Sequence, residues 1–85
     1  MTIYKYQFEV QDEIEIMMPA DSEVLCVQMQ RNSPCIWAIV DPNVALRRKH
    51  FRVFGTGQQF EPPIGRYIGT FQMGGGALVF HLFEV

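Results

Sequence analysis

The residues best suited to hold a ligand are the basic ones in the middle of the chain. Arginine forms paired hydrogen bonds with phosphate and carboxylate groups, and one short run holds four cations, Arg47, Arg48, Lys49 and Arg52. Residues 31–66 contain six basic and two acidic residues, whereas residues 1–30 contain one basic and six acidic residues. A solvated surface loop also explains so short a run. If the run does bind, the acidic first third disfavours nucleic acid and favours a small anion.

A glycine-rich segment follows the basic run and offers a second element of a ligand site. Gly55-Thr56-Gly57 has the glycine pair of a phosphate loop, in which backbone N–H groups face the anion. The dinucleotide fingerprint fails, however, because Phe60 stands where its third glycine belongs. A turn or bulge is therefore the favoured interpretation. Close by, Phe60 and Tyr67 are aromatic residues able to stack on a nucleobase, and Arg66 precedes Tyr67.

No spacing typical of catalysis or metal binding occurs in the sequence. His50 and His81 fall on different predicted strands, and no serine or cysteine lies in a nucleophile elbow. The spacings H-E-x-x-H and C-x-x-C are absent. We therefore expect a protein that is not an enzyme, with no catalytic residue, no metal and no cofactor.

The elements that must position these residues are β-strands. Apolar and polar residues alternate over Tyr4–Val10 and over 13–18, as in half-buried strands. Five further segments have strand character, at residues 22–30, 35–40, 50–54, 67–73 and 77–83. Gly74-Gly75-Gly76 marks a hairpin, and residues 44–49 are predicted to form a loop or one helical turn. Seven short strands without a long helix predict one all-β domain over residues 1–85, a compact antiparallel sandwich or barrel.

Finer details of two strands follow from the same patterns. Leu25, Val27 and Met29 are expected on one side of the third strand. The fourth strand is apolar on both faces, which predicts a central strand covered from two sides with Trp37 in the core. A hairpin loop at residues 31–34 would keep Cys26 and Cys35 several pairs apart, and both thiols are expected to be reduced.

The composition predicts that copies of the chain associate. Of the 85 residues, 48% are hydrophobic and 13% aromatic, which exceeds what so small a core encloses. The surplus apolar surface favours a homo-oligomer. No signal peptide and no apolar run long enough to span a bilayer is visible, so we expect a cytosolic protein without a membrane partner.

Several motifs together resemble a family of small proteins of unknown function encoded by tailed bacteriophages and prophages. The motifs are Val27-Gln28-Met29-Gln30, Pro34-Cys35-Ile36-Trp37-Ala38-Ile39-Val40-Asp41-Pro42, Phe54-Gly55-Thr56-Gly57, Tyr67-Ile68-Gly69-Thr70-Phe71 and Phe80-His81-Leu82-Phe83-Glu84. The likeness spans nearly the whole chain and transfers no catalytic residue. It implies work in the host cytoplasm as an accessory factor. Small oligomeric phage proteins of this kind include inhibitors of bacterial immunity, some of which sequester nucleotide second messengers.

These observations favour a non-enzymatic homo-oligomer that sequesters a small anionic nucleotide signal in pockets between subunits and so inhibits host defence. The predicted ligand-binding residues are Arg47, Arg48, Lys49, Arg52, Gly55, Thr56, Gly57, Phe60, Arg66 and Tyr67. One alternative is an inhibitor that binds a host protein through an edge strand or an apolar face. The other is a minor virion or assembly protein.

Overall fold

The alternating segments form seven strands that pack as two antiparallel sheets. The computed structural model describes residues 1–85, with β1 at Thr2–Gln7, β2 at Glu13–Pro19, β3 at Glu23–Gln30, β4 at Ser33–Val40, β5 at Leu46–Gly55, β6 at Arg66–Met73 and β7 at Leu78–Glu84. Sheet A has the order β1-β4-β3, and sheet B has the order β2-β5-β7-β6. A short 3₁₀ turn over Gly74–Gly76 joins β6 to β7. The predicted all-β fold and the glycine hairpin are confirmed, and of the two predicted architectures the chain forms the sandwich.

The core lies between the two sheets. Twelve buried residues form one hydrophobic cluster to which both sheets contribute, including Ile36 and Ala38 of β4, Phe51 of β5 and Leu82 of β7. Because successive side chains of a strand point to opposite faces, each of these strands also presents an outer face. The chain contains no helix of the length and hydrophobicity that crossing a bilayer requires.

One side of the sandwich is closed where the edge strands β3 and β6 meet. A Cβ atom on Gly69 of β6 would lie 2.8 Å from the side chain of Val27 on β3, so only glycine permits this approach. Arg66 donates a hydrogen bond of 3.2 Å to the carbonyl oxygen of Val24. The remaining edges, β1 of sheet A and β2 of sheet B, have no neighbouring strand on one side.

The β3–β4 hairpin differs from the sequence prediction in register. Pairing runs from Gln30 opposite Ser33, so the loop is Arg31-Asn32 and not residues 31–34. A bulge between Val24 and Cys26 leaves Leu25 exposed, which corrects its expected position on the same side as the buried Val27. A single inserted residue is enough to move a side chain to the other face.

The two cysteines are free thiols on the outer side of sheet A. Cys26 pairs with Trp37 and Cys35 with Gln28, so the cysteines lie closer along the ladder than the longer loop implied. Trp37 is only half-buried and lies outside the core cluster. The prediction that β4 is central is confirmed. Its outer face is covered only in part, since Cys35 is buried whereas Trp37 and Ile39 are half-buried, and no second sheet packs on that face.

The basic run lies on a strand. β5 begins at Leu46, and Arg47 and Arg48 pair with Met18 and Met17 of β2. The predicted loop or helical turn over 44–49 is therefore wrong for most of its length. The cause is tertiary, since the ladder with β2 satisfies backbone groups that local sequence preferences leave open.

Candidate functional site

Strand geometry separates the four cations of the basic run. Arg48 and Arg52 lie on the outer face of sheet B, whereas Arg47 and Lys49 point to the other side, which Phe51 shares. This division follows from the two-residue period of a strand. The run expected to act as one group is therefore split between two faces.

Lys49 and Arg66 belong to an ion cluster centred on Glu84 of β7. The Lys49 ammonium lies 2.9 Å from one carboxylate oxygen and an Arg66 guanidinium nitrogen lies 3.0 Å from the other. Burial by itself raises the pKa of Glu84, but the hydrogen bonds and charges of Lys49 and Arg66 outweigh burial and lower it. Both cations are thus already paired within the protein, in contrast to the ligand-binding role predicted for them.

Arg48 also lies near a carboxylate, but its ion pair is weaker than those of Lys49 and Arg66. Its Nε atom lies 3.9 Å from Glu15, and both side chains are more than half exposed. His50 also approaches Glu15, at 3.5 Å. Exposed pairs of this kind contribute about 0–1 kcal/mol and are screened by salt, so Arg48 is a solvated surface cation.

Four aromatic rings form a continuous row on the outer face of sheet B. Ring centroids are separated by 4.5 Å between Phe60 and Phe54, 5.8 Å between Phe54 and Phe83, and 5.6 Å between Phe83 and Tyr67. Phe54 is buried by these neighbours although it lies outside the core cluster. Phe60 and Tyr67, at the two ends of the row, are 45% and 54% exposed. The row therefore presents two ring surfaces to solvent.

Arg52 lies beside this row and has no ion pair. Its guanidinium carbon is 4.7 Å from the centroid of the Phe54 ring, within the range of a cation–π contact. Its Nε atom is buried and has no hydrogen-bond partner, and no carboxylate forms a salt bridge with the side chain. A groove of about 490 Å³ adjoins Arg52 and Phe54 and is also lined by Asp12, Glu13 and Gln58.

A chain of four hydrogen-bonded side chains runs along the same face. Thr56 Oγ1 lies 2.7 Å from His81 Nε2, His81 Nδ1 lies 2.9 Å from Thr70 Oγ1, and Thr70 Oγ1 lies 2.6 Å from the Tyr67 hydroxyl. Both ring nitrogens of His81 are therefore occupied. The chain links the glycine-rich turn to the exposed Tyr67.

Sequence reasoning missed His81 and Thr70 as members of this site. The signal was present in the hairpin, because strands that fold back symmetrically about Gly75 bring residues near 70 opposite residues near 81. The structure pairs Thr70 with His81 directly.

Residues 55–57 form a turn, as the favoured interpretation held. Gly57 has a φ of 87°, and the Gln58 N–H donates to the Gly55 carbonyl oxygen at 3.0 Å. The Gly55 N–H donates to the Gln58 side chain and the Thr56 N–H donates to Val79. The amides of Gly55 and Thr56 are thus committed internally, so they do not form the phosphate-binding backbone considered from the sequence. Thr56 contributes its hydroxyl instead.

The outer-face cluster, defined here as Arg52, Phe54, Thr56, Phe60, Tyr67, Thr70, His81 and Phe83, is the candidate site. It unites four of the sequence-predicted residues, Arg52, Thr56, Phe60 and Tyr67, with four others. Arg47, Lys49 and Arg66 lie elsewhere, and Gly55 and Gly57 shape the adjoining turn. Such a surface offers ring stacking, one cation and several hydroxyl groups.

Comparison with known proteins identifies the family of the chain. Residues 1–85 match the family model described as a domain of unknown function, DUF7352. No curated protein and no solved structure matches the chain significantly. Because the match covers all 85 residues, the chain belongs to the DUF7352 family.

Proposed function

We propose that the protein is a non-enzymatic binding protein that sequesters a small anionic ligand with a planar ring, of the nucleotide class, on the outer face of sheet B. The observation that carries the proposal is Arg52, a partly buried guanidinium without an ion pair beside a row of aromatic rings. Arg48 and Lys49 of the same strand each form a salt bridge, whereas Arg52 and the exposed Arg47 form none.

The uncompensated positive charge of Arg52 is evidence that the ligand is an anion. Removing a guanidinium from water is unfavourable unless an opposite charge or hydrogen-bond acceptors compensate, and the contact with the Phe54 ring compensates only in part. A phosphate or carboxylate group of a ligand would supply the acceptors. The carboxylates of Asp12 and Glu13 line the adjoining groove and oppose an anion there, which favours approach from the side of the aromatic row.

The exposed aromatic rings are evidence that the ligand contains a planar ring. Stacking of a nucleobase on an aromatic side chain contributes about 1–3 kcal/mol per base. Phe60 and Tyr67 are exposed, and their neighbours Phe54 and Phe83 hold the row together. A ligand that stacks on either end keeps its charged group on the same face as Arg52.

The surroundings of His81 support binding without chemistry. A threonine–histidine contact is present, but the second ring nitrogen of His81 meets the Thr70 hydroxyl. Hydrolase triads have a carboxylate at that position, which stabilises the imidazolium formed during the reaction. We therefore assign His81 to holding the Thr56 and Thr70 hydroxyls in place.

A homo-oligomer completes the proposal. Only 17 of the 85 residues are buried, and ten large hydrophobic side chains are exposed. The outer-face cluster lies on the surface of a sheet, so a second copy packed against it would exclude water from the ligand. Together with the resemblance to phage-encoded proteins, this leads us to propose that a nucleotide signal of bacterial immunity is the ligand and that the host cytoplasm is the site of action.

Isothermal titration calorimetry with a panel of signalling nucleotides tests the proposal. We expect at least one nucleotide to bind the wild-type protein and the Arg52→Gln variant to bind it about tenfold more weakly, since hydrogen bonds to charged groups contribute about 1.5–3 kcal/mol. Arg47→Gln is the matched control and should bind normally, because Arg47 is exposed on the other side of β5. Absence of binding heat with every nucleotide, or an equal loss of nucleotide affinity in Arg52→Gln and Arg47→Gln, would reject the proposal.

The free edge of β1 favours a second candidate function, inhibition of a partner protein by strand addition. Ile3 and Tyr4 are 57% and 43% exposed, and β1 has a neighbour only on the side of β4. An open edge offers unpaired backbone groups to an incoming strand. Recovery of one stoichiometric partner that Ile3→Lys abolishes and nucleotides leave unchanged would support this function over ligand sequestration.

A further inference from the structure

The groove at the loop end of the β3–β4 hairpin is lined only by polar side chains. It measures about 280 Å³ and is formed by Lys5, Gln7, Gln30, Arg31 and Ser33. Lys5 and Gln7 come from β1, whereas the other three belong to the hairpin or its loop. No carboxylate lines the groove, although the chain as a whole has a net charge of −2.

The two cations of this groove have no ion-pair partner. Neither Lys5 nor Arg31 takes part in a salt bridge, in contrast to Arg48, Lys49 and Arg66. Two like charges that share one groove repel each other. An anion placed between them would remove that repulsion and accept hydrogen bonds from both.

The neutral side chains of the groove are also able to donate hydrogen bonds. Lys5 donates to the amide oxygen of Gln30, which leaves the amide nitrogen of Gln30 as its free group. Gln7 carries a second amide, and Ser33 carries a hydroxyl. The groove therefore combines two positive charges with three neutral donors.

The backbone of Arg31 provides an independent observation. Arg31 has a φ of 58°, in the left-handed region that residues with a Cβ atom rarely adopt. In tight two-residue hairpins this place is normally taken by glycine or asparagine. The other non-glycine residue with positive φ is Asp21, which belongs to the types that tolerate the region. Sterically disfavoured residues of this kind cluster at functional sites, which is consistent with a role for the Arg31 side chain.

We infer that this groove is a binding site for a phosphate group, carried either by the free ion or by a phosphorylated small molecule. Lys5 and Arg31 supply the charge, and Gln7, Gln30 and Ser33 supply neutral donors. The site uses residues of sheet A and its hairpin loop, so it is separate from the outer-face cluster. If phosphate does not bind this groove, the proposal for Arg52 is unaffected. If no nucleotide binds the outer-face cluster, the phosphate site is likewise unaffected.

A titration of ¹⁵N-labelled protein with inorganic phosphate at constant ionic strength, followed by amide chemical shifts, tests the inference. We expect saturable shifts at Arg31, Asn32 and Ser33. Lys5→Gln and Arg31→Asn should each raise the dissociation constant about tenfold, as expected for loss of one charged hydrogen bond. Arg47→Gln, an exposed arginine of the other sheet, should not change it.

The Arg31→Asn variant separates binding from folding. Asparagine tolerates the left-handed backbone better than arginine, so the variant should be at least as resistant to urea as the wild type while binding phosphate about tenfold more weakly. A nucleoside monophosphate that shifts the amides of residues 31–33 at lower concentrations than inorganic phosphate does would identify a phosphorylated molecule as the source, and equal concentrations would identify the free ion. Shifts that do not saturate, or a dissociation constant unchanged in both variants, would overturn the inference.

Discussion

The ion cluster at Glu84 and the outer-face cluster at Arg52 show two different uses of charge in one sheet. Lys49 and Arg66 share the carboxylate of Glu84 at 2.9 and 3.0 Å, so their charges are satisfied within the fold. Arg52 forms a cation–π contact with the Phe54 ring, has no ion pair, and keeps an Nε atom without a hydrogen-bond partner. Pairing with a carboxylate, more than the number of basic residues, therefore separates cations that stabilise this fold from cations available to a ligand.

The largest change in the free energy of unfolding is expected at Gly65, where the backbone approaches Glu84. A Cβ atom on Gly65 would lie 2.1 Å from the carbonyl oxygen of Glu84, and Gly65 has a φ of 91°. Gly65→Ala should lower the free energy of unfolding by about 3 kcal/mol, because overpacking adds to an unfavourable backbone conformation. Urea unfolding of the wild type and of Gly65→Ala measures the difference in the free energy of unfolding.

Gly75→Ala is the matched control for this substitution. Gly75 has a φ of 67°, but a Cβ atom there would meet nothing within 4 Å. Its cost should be only about 1 kcal/mol, from the backbone alone. Equal losses in the two variants would mean that the close contact with Glu84 has no energetic weight.

A smaller loss of stability is expected when the carboxylate of Glu84 is removed. Glu84→Gln should lower the free energy of unfolding by about 1–2 kcal/mol, because Lys49 and Arg66 keep their positions without a counter-charge. Glu61→Gln, an exposed acid without an ion pair, should change it by less than about 0.5 kcal/mol. If both substitutions had the same effect, Glu84 would not be a structural ion centre.

The Glu84 contribution should also depend on pH in a defined direction. The fold lowers the pKa of Glu84 below its ordinary value of 4.5, so the unfolded chain binds the proton more readily than the folded protein. The stability difference between wild type and Glu84→Gln should be complete above pH 4.5 and should shrink as the pH falls through the lowered pKa. Urea unfolding of both proteins across this range measures the difference; a difference that grows on acidification would contradict the lowered pKa.

The smallest effect on stability is expected in the outer-face cluster. Phe60 is 45% exposed, so Phe60→Ala should cost less than about 1 kcal/mol in unfolding free energy while weakening nucleotide binding about tenfold through lost stacking. Leu46→Ala is a control because Leu46 is 59% exposed and lies at the other end of β5. It should leave binding unchanged, and calorimetry distinguishes the two variants.

Local sequence patterns predict the strands of this fold because each strand has one buried face. The alternation over β2 and the glycines before β7 correspond directly to elements of the structure. The extension of β5 back to Leu46 and the bulge in β3 follow from pairing with distant strands, for which a short window carries no signal.

The site was predictable only in part for a related reason. Arg52, Thr56, Phe60 and Tyr67 were recognised by residue type, and their common face was not. The pairing of Lys49 and Arg66 with Glu84 joins residues 35 and 18 positions apart, so no local pattern distinguishes them from Arg52. The neighbours of His81 along β7 are apolar and give no sign of a polar site, since its partners Thr56 and Thr70 come from other parts of the chain.

The most direct test of ligand sequestration on the outer face of sheet B is a map of amide chemical shifts during titration with a nucleotide of the panel. We predict saturable shifts over residues 52–58, 67–70 and 81–83. Shifts confined to the Arg47 side of β5 or to sheet A, or no shifts with any nucleotide, would contradict the account.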